Sequence, residues 1–150
     1  MIRYGTINDF KIIKKIEKSA FYKFAYGDDE IMYMLLTAQT LIYENDEPEG
    51  YLSYYQDADE CHIESIAVIP KFKRKGIGSI LMKELEKLCV SGNMKRIVLE
   101  VREKNTRAIK FYKKLGYEEI KILNDYYTMS YRGSKNAIFM AKNLCPEPGK

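Results

Sequence analysis

The chain has no stretch of about 18 uninterrupted apolar residues, which excludes an ordinary membrane-spanning helix. Its first residues, Met1-Ile2-Arg3-Tyr4-Gly5, lack the charged-then-apolar order of a secretory signal, so a cytoplasmic protein without membrane contact is the expectation. Cysteine is scarce and scattered. Cys61, Cys89 and Cys145 sit far apart with no CxxC pair and no Cys/His cluster, which argues against a disulfide framework and against a zinc or other metal site. Each reads as a small, partly buried hydrophobe. Histidine is scarcer still, with His62 alone. Internal repeats, low-complexity segments and linkers are missing as well. The 150 residues therefore fit one compact domain, expected over 1–145, with 146–150 as a frayed, disordered tail.

What the chain does have is an apolar content of 46%, enough to fill a core, and a net charge of +4 that is partly local. Lys71, Lys73, Arg74 and Lys75 fall within five residues, a cluster suited to nucleic acid, an acidic surface or a phosphorylated ligand. Around it the pattern alternates between strand and helix. Residues 1–4 form a short strand. Asn8 or Asp9 caps a helix to about Phe21 with Ile12, Ile13 and Ile16 inward. A second helix after Asp28-Asp29 carries Ile31, Met34 and Leu35. Residues 40–43 and 51–55 read as strands around the turn Asn45-Asp46-Glu47-Pro48. Residues 62–69 form a strand closed by Pro70. The next helix has Ile77, Ile80, Leu81, Leu85, Leu88 and Cys89 at helical spacing and stops at Gly92. Residues 96–101 form a strand. Asn105 caps a helix with Ala108, Ile109, Tyr112 and Leu115 on one face, ended by Gly116, and two strands at 117–123 and 137–141 close the chain. Strand–helix–strand units of this kind build an α/β fold on a mixed sheet.

The segment Ile69-Pro70-Lys71-Phe72-Lys73-Arg74-Lys75-Gly76-Ile77-Gly78-Ser79 carries the most chemistry. A strand ends, a basic glycine-bearing turn follows, and a helix begins. Glycine lets backbone approach a ligand, and a helix start offers unpaired N–H groups with partial positive charge. The turn is therefore expected to hold a pyrophosphate; the plain alternative is a surface turn with solvated lysines. It is not a P-loop, because the GxxxxGK[ST] spacing is missing, and not a dinucleotide fingerprint, because position 81 is Leu. Nucleic-acid binding is poorly supported, since Phe72 is the one aromatic among these basic residues.

These residues resemble motif A of the GNAT acetyltransferase superfamily, Q/R-x-x-G-x-G/A, with Lys73 in the first place and Gly76 and Gly78 as the glycines. The stretch Leu99-Glu100-Val101-Arg102, Asn105, then Ala108-Ile109-Lys110-Phe111-Tyr112-Lys113-Lys114-Leu115-Gly116-Tyr117, and the later Asn124-Asp125-Tyr126-Tyr127, resemble the protein N-terminal (RimI-like, Ard-like, ribosomal-protein-alanine) branch. The resemblance runs from about Glu60 to Leu144. It implies a central mixed, mostly antiparallel, twisted sheet of about seven strands flanked by about four helices. It also implies acetyl-CoA as the acetyl donor, with coenzyme A as product, no metal, and binding through Ile66, Ala67, Val68, Lys73, Arg74, Lys75, Gly76, Ile77, Gly78, Ser79, Asn105 and Tyr112.

Acetyl transfer to an amine needs a base, a stabilised carbonyl oxygen and an acid for the leaving thiolate. Alternation along 96–102 puts Val98, Glu100 and Arg102 on one strand face, so a partly desolvated Glu100 with a raised pKa is the first candidate base. The alternative is an exposed Glu100 paired with Arg102. His62 rivals Glu100, since an imidazole with a pKa of about 6.5 takes a proton near neutrality. Glu64 shares its strand face and could relay. Both bases match functional positions of the resembled branch. Tyr112 stands at the family's acid position; its other reading is a core aromatic. Asn105 reaches the coenzyme arm or only caps its helix. A splay between the His62 strand and the Arg96 strand is expected to free the Val68 amide for the acyl oxygen.

The resemblance makes the acceptor a protein or peptide N-terminus, clamped by Tyr126 and Tyr127 and walled by Phe21 and Tyr22. This chain lacks the Phe-Pro and Glu-Asp-Ala found in the branch, carrying Phe21-Tyr22 and Lys135-Asn136-Ala137 instead. Other readings are an amine acceptor of another class (a lysine side chain or a small molecule such as a polyamine, for which Asp28-Asp29-Glu30 could supply acid) and a non-catalytic acyl-CoA-binding module. Nucleic acid is not an expected partner, and the oligomeric state stays open between monomer and homodimer.

Overall fold

Asp9 stands at the N-cap of the first α-helix, as expected, though without a side-chain capping bond of its own, and a 3-10 turn capped by Thr6 leads into it. The Thr6 hydroxyl accepts the Asn8 N–H at 3.2 Å while the Asp9 carboxylate accepts the Thr6 N–H at 2.8 Å, a reciprocal box that closes one turn of 3-10 helix at Ile7–Asp9 before the α-helix starts. The computed structural model describes residues 1–144; Cys145 and the expected tail lie outside the described residues. Within them the order is β1 (Ile2–Tyr4), α1 (Phe10–Phe21), α2 (Asp28–Thr37), β2 (Gln39–Glu44), β3 (Pro48–Asp57), β4 (Glu60–Val68), α3 (Ile77–Ser91), β5 (Arg96–Arg102), α4 (Thr106–Lys114), β6 (Glu118–Leu123) and β7 (Ala137–Asn143). The seven strands form one mixed sheet in the order β1-β2-β3-β4-β5-β7-β6, with four α-helices, as expected.

The chain divides into two compact units, Met1–Gln56 with Ile63–Leu88, and Asp57–His62 with the residues from Cys89 onward. In the first, β1, β2 and β3 pair antiparallel. Ile13 and Ile16 of α1, Ile31 and Met34 of α2, Ile42, Tyr51, Ala67 and Ile69 form its core, with Ile12 and Leu35 packed at the margin. Each aliphatic side chain so buried contributes about 1.5–3 kcal/mol. Gly50 of β3 allows an unusually close approach: a Cβ there would lie 3.0 Å from the Ala67 carbonyl oxygen. The inward face of α3 differs from expectation. Ile77, Leu81, Met82 and Leu85 are buried, whereas Ile80 is exposed. At 100° per residue the buried arc runs from Ile77 round to Met82, and Ile80 falls beyond its edge.

In the second unit β5 is the spine. It pairs antiparallel with β7 over seven residues, from Arg96↔Asn143 to Arg102↔Ala137, and parallel with the start of β4 at Glu60↔Arg96, Cys61↔Ile97 and His62↔Val98. β6 pairs with β7 on the other side. Ile97, Leu99 and Val101 are buried on one face, and Val98 on the other beside the half-buried Glu100 and Arg102. α3 ends through Asn93, whose φ of 60° takes the left-handed turn expected of Gly92; the Met94 N–H then donates to the Cys89 carbonyl at 2.9 Å. Asn can adopt this conformation because its short polar side chain carries little steric penalty there. Cys61 and Cys89 are buried free thiols. The Cys89 thiol beside it, with burial, pushes the Cys61 thiol up. Among the described residues no helix is long and apolar enough to cross a membrane, and no group of His, Cys, Asp and Glu is arranged to hold a metal ion.

Candidate functional site

The turn before α3 gathers basic side chains and left-handed backbone. Pro70–Phe72 forms a 3-10 turn, and two residues with positive φ follow, Arg74 at 71° and Gly76 at 75°. Left-handed residues alternating with right-handed ones are the backbone pattern that can turn successive N–H groups to one side. A Cβ at Gly76 would meet nothing within 4 Å, so the backbone there borders open space, and α3 starts one residue later. Lys73, Arg74 and Lys75 are exposed, while Gly78 and Ser79 are half-buried in the first helical turn. Phe72 gathers two of the cations: Lys71 Nζ and Lys75 Nζ stand 4.9 and 5.1 Å from its ring centroid. Just upstream, Ala67 is buried and Ile66 and Val68 are half-buried. These three lie beyond the three residues of β4 that the β5 ladder takes. The charge, the left-handed residues and the open backbone fit a diphosphate.

The helical end of the same unit holds the other first-half candidates. Phe21 packs against the core, and Tyr22 is exposed, its φ of 52° turning the chain out of α1. Asp29, Glu30, Tyr26, Tyr33 and Glu64 line an open hollow of about 440 Å³. Glu64 is thus found with the α2 acids, and its backbone carbonyl accepts the Tyr26 hydroxyl at 3.2 Å.

Beneath that hollow lies a feature the sequence reading missed. Glu17 is 1% exposed, and its carboxylate accepts the Tyr51 hydroxyl at 2.6 Å, the Tyr26 N–H at 2.9 Å and the Ser65 hydroxyl at 3.3 Å. Burial holds its carboxyl above the ordinary range despite those donors, and burial likewise pushes the Tyr51 phenol well up. The signal lay in the stripe: Glu17 follows Ile13 by four residues and Ile16 by one, on the face that goes inward.

In the second unit the two rival bases turn out to be partners. His62 Nε2 lies 2.7 Å from Glu100 Oε1, with the ring N–H donating to the carboxylate. Their side chains are 22% and 13% exposed. Glu100 does not pair with Arg102. That guanidinium donates to the Met129 carbonyl at 2.8 Å and stacks 4.0 Å from the Tyr127 ring centroid. The Tyr126 hydroxyl also donates to Glu100 Oε1, at 3.3 Å. Tyr126 and Tyr127 meet edge to face at 4.9 Å, and burial raises the Tyr127 phenol to about 12. Tyr112 of α4 is 7% exposed, packed edge-on to Phe111 and Tyr117, and burial pushes its phenol well up. Asn105 caps its helix, its Oδ1 accepting the Ala108 N–H at 3.2 Å.

The departure at Lys135-Asn136-Ala137 creates its own anchor. Asn136 Oδ1 accepts the Asp125 N–H at 2.9 Å, and its Nδ2 donates to Glu103 at 3.3 Å. Ser134 also donates to Glu103, at 2.7 Å, and this bond, ahead of its other neighbours, lowers the Glu103 carboxyl.

Comparison with known proteins bears on what this arrangement does. The acetyltransferase (GNAT) family matches residues 9–117. An N-alpha-acetyltransferase of Sulfurisphaera tokodaii is 42% identical over 67 residues, 44% of this chain and 40% of its own length, so the chain spans less than half of that relative. An uncharacterized N-acetyltransferase of Methanocaldococcus jannaschii is 32% identical over 146 residues, 95% of this chain and 90% of the relative. The crystal structure of the ribosomal-protein-S18-alanine N-acetyltransferase from Escherichia coli has the same fold, with a TM-score of 0.86 at 24% identity, covering 100% of this chain and 99% of that one.

Proposed function

This chain belongs to the acetyltransferase (GNAT) family, whose members draw the acetyl group from acetyl-coenzyme A, and we propose that its acceptor is the N-terminal α-amine of a protein. The observation that carries the reading is the half-buried Glu100 carboxylate bonded to His62 at 2.7 Å. An α-amine has a pKa of about 8 against about 10.4 for a lysine side chain, so freeing its lone pair near neutrality costs about 3 kcal/mol less. One carboxylate steadied by an imidazole suits that smaller task. The name of the Sulfurisphaera relative, N-alpha-acetyltransferase, points the same way.

The turn from Lys73 to Ser79 is the proposed diphosphate cradle, with backbone N–H groups of Gly76, Ile77 and Gly78 as donors and Lys73, Arg74 and Lys75 as countercharge. When bound, acetyl-coenzyme A supplies a thioester, an acyl group already activated toward amines. The Ile66–Ala67–Val68 backbone is the proposed rail for the pantetheine arm, with the Val68 N–H stabilising charge that develops on the acyl oxygen. Glu100 takes the acceptor's proton. Tyr112 keeps its own proton through neutral pH, as its burial favours, and gives it to the departing sulfur. Tyr126 and Tyr127 are the proposed clamp on the acceptor peptide, and Phe21 and Tyr22 are proposed as further acceptor contacts.

A second reading has its own observation. The hollow lined by Asp29, Glu30 and Glu64 with two tyrosines would favour a cationic small amine such as a polyamine. Acetyl transfer to an Ala- or Ser-starting peptide, an N-blocked lysine peptide and spermidine, compared at equal concentration, tests both. Preference for the free N-terminus supports the α-amine reading; preference for spermidine replaces it. Binding of acetyl-CoA without transfer to any of the three would leave a coenzyme-binding module.

A further inference from the structure

The Glu100 carboxylate is held asymmetrically. His62 Nε2 and the Tyr126 hydroxyl both reach Oε1, at 2.7 and 3.3 Å, and among the described residues no hydrogen bond reaches Oε2. The terminal torsion of a glutamate is soft, so strand geometry alone does not fix how its carboxylate is turned. Two donors arriving from different elements do fix it. His62 comes from β4, and Tyr126 from the connection between β6 and β7.

That connection is itself pinned independently of any acceptor. Asp125, with a φ of 51°, gives its N–H to Asn136 Oδ1 at 2.9 Å, and the Tyr127 N–H donates to the Lys135 carbonyl at 3.0 Å. Arg102 clamps it from the strand side, through the Met129 carbonyl and the Tyr127 ring. The Tyr126 hydroxyl is therefore delivered to Glu100 by the fold.

We propose that Tyr126 is a positioning residue for the base: sharing Oε1 with His62, it sets the rotation of the Glu100 carboxylate and leaves Oε2 as the oxygen that takes the acceptor's proton. This rests on Glu100 acting as the base. It gives Tyr126 a task beyond contact with the peptide, one in which its hydroxyl matters more than its ring.

The test is Tyr126→Phe, which keeps the ring and removes the donor. His62 is the only histidine in the chain, so its ring nitrogen and proton resonances need no assignment among rivals. At fixed neutral pH those resonances move in the variant, because a second donor has left the oxygen His62 is bonded to. In steady-state assays beside the wild type, kcat falls about three- to tenfold, the low end expected for a long bond to a charged group, while the peptide KM stays within about twofold. Unmoved His62 resonances, or a raised KM with kcat intact, would overturn the proposal. Should the wild type prefer another amine, the acceptor reading fails while the His62 spectrum still decides the role of Tyr126.

Discussion

Replacing Glu17 with alanine should lower the melting midpoint by roughly 10 °C. The carboxylate satisfies the Tyr26 N–H, the fully buried Tyr51 hydroxyl and the Ser65 hydroxyl. Its loss strands at least the first two, at about 1–3 kcal/mol each, and the vacated methylenes add about 1 kcal/mol of lost packing. Relief of the buried carboxylate's desolvation offsets part, leaving about 3–5 kcal/mol. At about 2–4 °C per kcal/mol for a chain of this size, the midpoint falls by roughly 6–20 °C. Calorimetry at neutral pH reads this directly, and Glu17→Gln, which keeps a carbonyl acceptor, should lose much less. Burial holds the Glu17 carboxyl above its ordinary value of 4.5. The fold thus favours the protonated form, so this group's contribution is complete below that value and declines as pH rises through the raised one. Glu17→Gln should flatten that decline. An alanine variant melting within 2 °C of wild type would refute the reasoning, because the three bonds would then have carried no net stability.

Three further outcomes are expected. Glu100→Gln should lower kcat by about 10²–10⁴ and leave coenzyme affinity by calorimetry nearly unchanged; wild-type turnover would remove Glu100 from the chemistry. Gly76→Asp should weaken acetyl-CoA binding at least about tenfold, since it adds negative charge where phosphate is proposed and strains a φ of 75°; Gly76→Ala separates the two causes, and equal affinities in all three would refute the cradle. Tyr112→Phe should reduce kcat about 10²-fold with little change in stability, and full activity would leave Tyr112 as a packing aromatic.

The elements were readable because their periodicities are clean. Val98, Glu100 and Arg102 share a strand face by alternation, and they do so in the fold. Contacts between distant segments were not readable. His62 and Glu100 are 38 residues apart, and only the register His62↔Val98 makes them partners rather than rivals. A strand's sequence specifies which face a residue takes, while its pairing offset depends on the packed whole. The bonds of Tyr126 to Glu100 and of Asn136 to Asp125 escaped for the same reason. Glu17 escaped for another: a charged residue on an apolar stripe looks like an interruption until its three donors are in view. Asn93 displaced Gly92 by one position at the end of α3, and the 3-10 turn that Thr6 caps ahead of Asp9 was not foreseen, since helix ends are the least sharply specified part of an element.

At Gly50 the first unit has no slack. Any other residue would bring a methyl-sized obstacle to 3.0 Å from the Ala67 carbonyl, beside the side chains of Val68 and Ile77. The tightest of these contacts is with a peptide group of the proposed rail, and the other two are with side-chain methyls, so relief asks the Ala67 carbonyl or β3 itself to give by a few tenths of an ångström. The missing side chain on β3 thereby leaves room for the backbone of the next strand, the stretch proposed to carry the pantetheine arm.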